Sequence, residues 1–160
     1  MTVLQPGDMA PDFDLPVLIG GVKKRFHFAE RRSKQNLVLA FYPLNWEPVS
    51  VDQMVAYQVE RAKFLARDAE VVGISVDSIM NTTAWEREIG PFDYPLCSDF
   101  WPHGNVSRTY GVLRAEGPFA GASERAIFVV GKQGTIEFSR IYPVNQVPDL
   151  QETLAALSKL

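Results

Sequence analysis

The stretch L-V-L-A-F-Y-P-L-N-W-E-P-V-S-V-D-Q, residues 37–53, decides the fold that we predict for this chain. Its first six residues are all apolar, which is typical of a strand buried on both faces of a sheet. Pro43 and Pro48 then interrupt regular structure, because proline cannot donate a backbone hydrogen bond and restricts the residue before it. From Val49 onward the pattern is helical. A strand, a short loop and a helix direct backbone N–H groups and a helix dipole toward one point, where Ser50 lies.

Outward from this stretch, strand-like and helical patterns alternate along the chain. We expect an N-terminal hairpin around Gly20-Gly21 and then a polar connector over residues 29–36. The later elements are a buried strand at 70–76, a helix capped by Asp77-Ser78, a short strand at 94–97, a short helix with Val106 and Tyr110, a hairpin of 126–130 with 136–141, and a helix opening at Pro148-Asp149. This order predicts an α/β fold with a central mixed β-sheet, flanking helices and an N-terminal β-hairpin extension.

Two helices have predicted inward faces. The helix after Ser50 carries an apolar side that Gln58 interrupts, made of Val51, Met54, Val55, Ala62, Leu65 and Ala66. The helix after Ser78 is expected to turn Met80, Ala84, Trp85 and Ile89 toward the core.

Composition limits the class of protein. A chain of 160 residues is expected to form one domain, residues 1–160, and its 46% hydrophobic and 22% charged content is that of an ordinary globular protein. The net charge of -3 argues against a nucleic-acid partner. Neither a signal-peptide pattern nor an apolar run of roughly 18 residues is present in the sequence, so we expect no membrane partner. The single cysteine excludes an internal disulfide and fits a cytoplasmic location.

The stretch around Ser50 also resembles a family signature. The peroxiredoxins (the alkyl hydroperoxide reductase and thiol-specific antioxidant family) carry P-x-x-x-T-x-x-C, usually after an F-Y-P strand end and often as P-L-x-x-x-P-V-C. Pro43, Leu44, Pro48 and Val49 match this frame, and Gln53 stands where a Glu or Gln commonly follows. Two positions depart from it, because the family's threonine is Glu47 and its peroxide-reacting cysteine is Ser50.

Four further stretches are similar to peroxiredoxins in the same order and spacing. They are residues 7–15, 71–78, 94–112 and 123–134, so the resemblance covers nearly the whole chain. It implies a thioredoxin-like fold and the reduction of hydrogen peroxide or alkyl hydroperoxides by a cysteine thiolate. That thiolate becomes a sulfenic acid, and a separate thiol reductant regenerates it. The block S-D-F-W-P-H-G is similar to members that need no second internal cysteine.

The resemblance implies catalytic positions at Pro43, Glu47, Ser50 and Arg125, with no cofactor and no metal. An arginine beside the nucleophile lowers a thiol's pKa and stabilises charge that develops on peroxide oxygens. The alternative for Arg125 is a surface arginine at the start of a strand. Glu47 has two interpretations: an ion pair with Arg125 that fills the space for the peroxide oxygens, or a loop carboxylate that points to solvent.

Ser50 has three interpretations: an engineered replacement of cysteine, a natural loss of the cysteine, or a helix N-cap at a position that never had a catalytic role. In each case a hydroxyl cannot replace a thiolate, because it is not appreciably ionised at neutral pH and does not form a sulfenic acid. A hydrolase would need a base, and neither His27 nor His103 is expected beside Ser50. His103 is expected to be structural rather than a metal ligand. Cys97 is expected to be a small buried hydrophobe, with a redox role as the alternative.

Two functional hypotheses follow. The chain is a peroxiredoxin-type thiol peroxidase by descent that is inactive or very weak as it stands, or it is a non-catalytic peroxiredoxin-like protein for binding or regulation. A thioredoxin-type electron carrier is excluded, because no C-x-x-C is present. Family members of this length usually pair, so we expect a symmetric homodimer. Trp46 and Trp101 lie in loops and are candidates for that interface or for the core.

Overall fold

The computed structural model describes residues 2–160. The strands are β1 (Asp14–Ile19), β2 (Val22–His27), β3 (Asn36–Phe41), β4 (Ala69–Ser75), β5 (Leu96–Ser98), β6 (Arg125–Val130) and β7 (Ile136–Tyr142). The helices are α1 (Phe28–Arg32), α2 (Pro48–Val59), α3 (Arg61–Leu65), α4 (Ile79–Ile89), α5 (Asn105–Thr109) and α6 (Leu150–Leu157). In this part of the chain no helix is both long enough and apolar enough to span a membrane.

The strands form one seven-stranded sheet in the order β2-β1-β5-β4-β3-β6-β7. The pairs β3–β4 and β4–β5 are parallel, whereas β1–β2, β1–β5, β3–β6 and β6–β7 are antiparallel. The sheet is therefore mixed, as the sequence predicts. In the antiparallel pairing, Phe41 at the end of β3 lies opposite Ala126, which places the start of β6 next to the loop that follows β3.

Strand β3 is buried on both faces, which confirms the prediction from its apolar run. Leu37, Leu39 and Phe41 belong to one hydrophobic cluster, and Val38 and Ala40 belong to the other. Successive side chains of a strand point to opposite faces of the sheet, so an unbroken apolar run fits a strand that is covered on both sides.

The N-terminal hairpin is confirmed, with a turn at Gly20-Gly21 between β1 and β2. The polar connector predicted over residues 29–36 is wrong in part, because its first residues lie in α1. Phe28 begins this helix and is fully buried, with its ring stacked on that of Phe13 at 4.8 Å between centroids. A long-range aromatic contact thus holds a helical turn whose other residues are mostly polar.

The inward face predicted for the helix after Ser50 is wrong in part. Met54 is fully buried as predicted, whereas Val55 of α2 and Leu65, which lies in the separate helix α3, are 36% and 43% exposed. The buried residues of α2 are Ser50, Gln53, Met54 and Tyr57. The buried side of this helix is therefore partly polar. It differs from the predicted apolar face because its polar side chains form hydrogen bonds inside the protein.

The inward face predicted for α4 is also wrong in part. The helix is capped by Ser78 as predicted, and Trp85 is fully buried. Met80, however, is 72% exposed, and Ala84 is exposed too. The residues that α4 buries are Thr82, Thr83, Trp85 and Glu86, so polar side chains replace the apolar ones that the periodicity selected.

Candidate functional site

The loop between β3 and α2 is fixed by Asn45, which is only 5% exposed. Its side-chain oxygen accepts a hydrogen bond from the Tyr42 hydroxyl at 2.8 Å, and its amide nitrogen donates to Asn81 at 3.0 Å and Thr82 at 2.9 Å. The backbone N–H of Asn45 donates to the Asp77 carboxylate at 2.8 Å. Asn45 thus links this loop to the start of α4, and the loop position follows from contacts more than 30 residues away in sequence.

The next residue, Trp46, has a backbone φ of 71°, a left-handed conformation that bulky residues rarely adopt. Its indole N–H donates to the Asn81 side-chain oxygen at 3.0 Å, while the side chain remains about half exposed. The surrounding contacts hold this strained conformation, which turns the chain so that Glu47 precedes the first turn of α2.

Glu47 is the N-cap of α2, a role that the sequence interpretation did not give it. Its Oε2 accepts from the backbone N–H of Val49 at 2.7 Å, and its Oε1 accepts from that of Ser50 at 3.0 Å. Pro48 occupies the first helical position, where its missing N–H has no partner to lose. Ser50 is the third residue of α2. It therefore lies in the first turn as predicted, but the interpretation of Ser50 as the cap is wrong.

Arg125 is fully buried at the start of β6, and the structure brings its guanidinium to the first turn of α2. Nη1 donates to Ser50 Oγ at 3.1 Å and to Gln53 Oε1 at 2.9 Å. Nη2 donates to Glu47 Oε1 at 2.6 Å and to the Val144 carbonyl at 2.6 Å, and Nε donates to the same carbonyl at 3.1 Å. All five N–H groups of the guanidinium are therefore used. A new acceptor must displace one of these partners.

Glu47 and Arg125 form an ion pair in which the arginine side chain is 0% exposed and the glutamate side chain is 16% exposed. Partial burial of Glu47 favours the neutral acid, but hydrogen bonds from Arg125, Ser50 and the Val49 N–H outweigh it. The pKa of the Glu47 carboxyl is consequently held below its ordinary value. The Ser50 hydroxyl donates to the same Oε1 at 2.8 Å. Glu47 is thus ionised at neutral pH, and the interpretation as a solvent-facing loop carboxylate is wrong.

Two buried side chains support the guanidinium from α2 and were not predicted as site residues. Gln53 is 0% exposed, accepts from Arg125 and donates its amide N–H to the Tyr57 hydroxyl at 3.1 Å. Burial raises the pKa of Tyr57 to about 12, against the lowering effects of Gln53 and Arg125. The signal that could have found them is the spacing of Ser50, Gln53 and Tyr57, which places the three on one face of a helix.

The other candidate residues lie apart from this cluster. Pro43 is buried at the start of the loop, but within residues 2–160 it takes no part in the side-chain hydrogen bonds to Arg125. Cys97 is fully buried in β5, where burial raises the pKa of its thiol. His103 binds the Gly121 carbonyl at 2.6 Å, and His27 pairs with Asp14. Over residues 2–160 no group of three or more His, Cys, Asp or Glu side chains is placed to hold a metal ion.

The fold and the cluster together define a class of protein. The chain has a mixed sheet with flanking helices and a loop bounded by prolines after the central strand. A buried arginine reaches the first turn of the helix that follows this loop. These features are typical of a thioredoxin-like peroxiredoxin scaffold. The resemblance predicts that Ser50 stands at the position of the peroxide-reacting residue, and this assignment stays a prediction.

Comparison with known proteins leads to the same class. Residues 6–139 match the AhpC/TSA family, and the chain belongs to that family. It is 34% identical over 164 residues to a protein of Synechocystis that is provisionally named a peroxiredoxin, a match covering 99% of this chain and 79% of that protein. It is 31% identical over 159 residues to alkyl hydroperoxide reductase E of Mycobacterium bovis, covering 98% and 99% of the two chains.

The fold is shared with solved structures of the same class. The structure of the reduced 2-Cys peroxiredoxin of Plasmodium vivax superposes with a TM-score of 0.88 at 23% identity, covering 97% of this chain and 81% of that one. At this identity the likeness concerns the fold. The sequence prediction of a peroxiredoxin with a thioredoxin-like fold is confirmed.

Proposed function

We propose that this chain is a peroxiredoxin-family protein with little or no peroxidase activity, in which Ser50 replaces the nucleophile and Glu47 occupies the place of the substrate oxygens. The observation that carries this proposal is the saturation of Arg125 by Glu47, Ser50, Gln53 and the Val144 carbonyl. In the family reaction the arginine must donate to a peroxide. Here a carboxylate of the chain itself already accepts from it at 2.6 Å.

The chemistry of Ser50 supports the same conclusion. In the family reaction a thiolate attacks one peroxide oxygen, the O–O bond breaks, the sulfur becomes a sulfenic acid and the other oxygen leaves as water or an alcohol. A serine oxygen that accepted the transferred oxygen would form another peroxide, so nothing would be reduced. Ser50 is also 0% exposed, and its proton is directed at Glu47 at 2.8 Å.

Cys97 does not supply the missing thiolate in this proposal. It is fully buried in β5, and burial disfavours its ionised form, so it behaves as a small apolar residue. If any activity remains, its substrates are hydrogen peroxide or an alkyl hydroperoxide together with a thiol reductant. We place the protein in the cytoplasm as one domain over residues 1–160.

A second candidate function, that of a non-catalytic binding or regulatory protein, is favoured by one surface. Four large apolar side chains are exposed: Trp46 at 49%, Met80 at 72%, Phe100 at 51% and Trp101 at 80%. Met80, Phe100 and Trp101 line one shallow pocket, and the Trp46 indole donates to Asn81, the residue that follows Met80. Exposed apolar groups that lie together are typical of an interaction surface. We propose that a homodimer forms through this surface.

A peroxide-consumption assay tests the proposed function. The purified chain is given hydrogen peroxide or an alkyl hydroperoxide with dithiothreitol, and consumption is compared with that of reductant alone. We expect the two to be equal. Consumption that increases in proportion to protein concentration and that catalase contamination does not explain would contradict the proposal.

A further inference from the structure

We propose that a cavity at the end of the sheet opposite the Ser50 loop binds a zwitterion of dipeptide size, in which an amide lies between a carboxylate and an ammonium group. The cavity lies between the start of β3, the turn that joins β6 to β7, the residues that follow α3, and Leu160. Its volume of about 440 Å³ falls within the range of roughly 300–1,000 Å³ that is typical of small-molecule sites.

The side chain of Asn36 is the observation that points to a ligand. Asn36 is the first residue of β3, is only 9% exposed and lines the cavity. Its backbone N–H donates to the Asp68 carbonyl at 2.9 Å, but across residues 2–160 its side-chain amide has no hydrogen-bond partner. A buried primary amide offers two N–H donors and a carbonyl acceptor, and it is unfavourable to leave them without partners. The amide of a ligand supplies both an acceptor and a donor to such a group.

Arg67 provides a cation in the same cavity. Its guanidinium is held in place by two hydrogen bonds, from Nε to Ser158 Oγ at 2.9 Å and from Nη1 to the Lys63 carbonyl at 2.9 Å. Within the described part of the chain, Nη2 makes no hydrogen bond. A guanidinium that is fixed through two nitrogens and has a third one free is suited to bind a carboxylate.

Glu137 supplies the opposite charge. It is an exposed residue of β7 that lines the cavity, and it forms no ion pair with any residue from 2 to 160. It is therefore available to an ammonium group. The other two charged side chains of the cavity, Lys132 and Asp68, pair with each other. The charged side chains of the lining balance one another, so a ligand that carries both signs and no net charge matches them best.

Calorimetric titration with glycylglycine tests the proposal. N-acetylglycine keeps the amide and the carboxylate but lacks the ammonium group, and glycinamide keeps the amide and the ammonium group but lacks the carboxylate. We expect a single saturable site for glycylglycine, and about tenfold weaker binding of each of the other two probes, because each loses one charged contact. In NMR spectra the side-chain amide signal of Asn36, identified by its loss in Asn36→Ala, should shift as glycylglycine is added.

Two variants and one control assign the binding to this cavity. Asn36→Ala should weaken the binding of glycylglycine about tenfold. Glu137→Gln should remove the preference for glycylglycine over N-acetylglycine, and because Glu137 is exposed this variant serves also if Asn36→Ala does not fold. Asn145→Ala is the matched control, since Asn145 is an exposed asparagine outside the cavity, and it should bind glycylglycine as the unchanged chain does.

Three results would overturn the inference. They are the absence of saturable glycylglycine binding, equal affinities for the three probes, and equal affinities of Asn36→Ala and Asn145→Ala for glycylglycine. The titrations contain no peroxide and the cavity does not include Arg125, so their outcome is independent of the peroxide-consumption assay.

Discussion

Replacing Ser50 by cysteine restores a nucleophile, but we predict that Glu47 limits its activity. Two variants separate these effects: Ser50→Cys alone, and Ser50→Cys with Glu47→Thr. The first retains the carboxylate whose Oε1 lies 2.8 Å from the present hydroxyl oxygen. The second places a neutral hydroxyl at the position where the family has threonine and frees one N–H of Arg125 for a peroxide oxygen.

The magnitude follows from the separation of the two charges, taken as about 4 Å because the carboxylate charge is shared between Oε1 and the more distant Oε2. Two like charges at this separation repel by about 4 kcal/mol at an effective dielectric constant of 20. This is on the order of three pKa units against forming the thiolate. The Glu47 side chain is 16% exposed, so solvent screens part of the repulsion, and roughly two units remain as the expected difference in thiol pKa between the variants. At an assay pH below both thiol pKa values, this corresponds to about a hundredfold difference in thiolate population.

The assay is the second-order rate of hydrogen peroxide reduction, with the thiol pKa measured by the pH dependence of alkylation. We expect weak activity for the single variant and about a hundredfold more for the double variant. Ser50→Cys with Glu60→Thr is the control, because Glu60 lies at the surface away from Arg125, and it should behave as the single variant does. Equal rates and equal pKa values for the single and double variants would show that Glu47 has no influence on this position.

Three further predictions concern stability, reactivity and assembly. The pKa of Glu47 is lower in the folded protein than in the unfolded chain. Its contribution to the stability of the fold is therefore complete above the unfolded pKa of about 4.3 and is lost as the pH falls through the folded pKa. Glu47→Gln should therefore lower the free energy of unfolding by about 3 kcal/mol at pH 7 and by less at pH 3 in urea titrations, whereas a pH-independent loss would contradict the ion pair. The thiol of Cys97 should not react with Ellman's reagent in the native protein and should react once unfolded; rapid native labelling would refute its burial. Light scattering should give twice 17.9 kDa, and Trp101→Glu should give a monomer; a monomeric unchanged chain would refute the proposed dimer.

The local sequence was sufficient to predict the strand, loop and helix that hold the candidate site. The apolar run before Pro43 predicts β3, and Pro48 predicts the helix start near Val49, because these signals act within a few residues. The same holds for the turn at Gly20-Gly21. The resemblance predicted Arg125 and Ser50 as site residues. The structure places Arg125 Nη1 3.1 Å from Ser50 Oγ. The catalytic roles of the two residues stay predictions.

Local reasoning predicted the helix faces only in part. Apolar periodicity correctly placed Met54 and Trp85 inward, but it also placed Val55 inward, and α2 buries Gln53 and Tyr57 instead. Periodicity assumes an apolar core beneath the helix. Here part of that core is Arg125, which needs acceptors, so polar residues of α2 are buried against it.

The sequence by itself determined an α/β chain whose central apolar strand leads through two prolines into a helix that starts near Val49, with serine in its first turn. It also determined that Ser50 cannot perform thiol chemistry, since that depends on the atom alone. Only the tertiary structure decided what Glu47 does. Its carboxylate could point to solvent or to Arg125, and the choice depends on the pairing of β3 with β6, which brings a cation 78 residues away to the helix start. Once that cation is buried, the free energy of leaving it without a countercharge favours the ion pair.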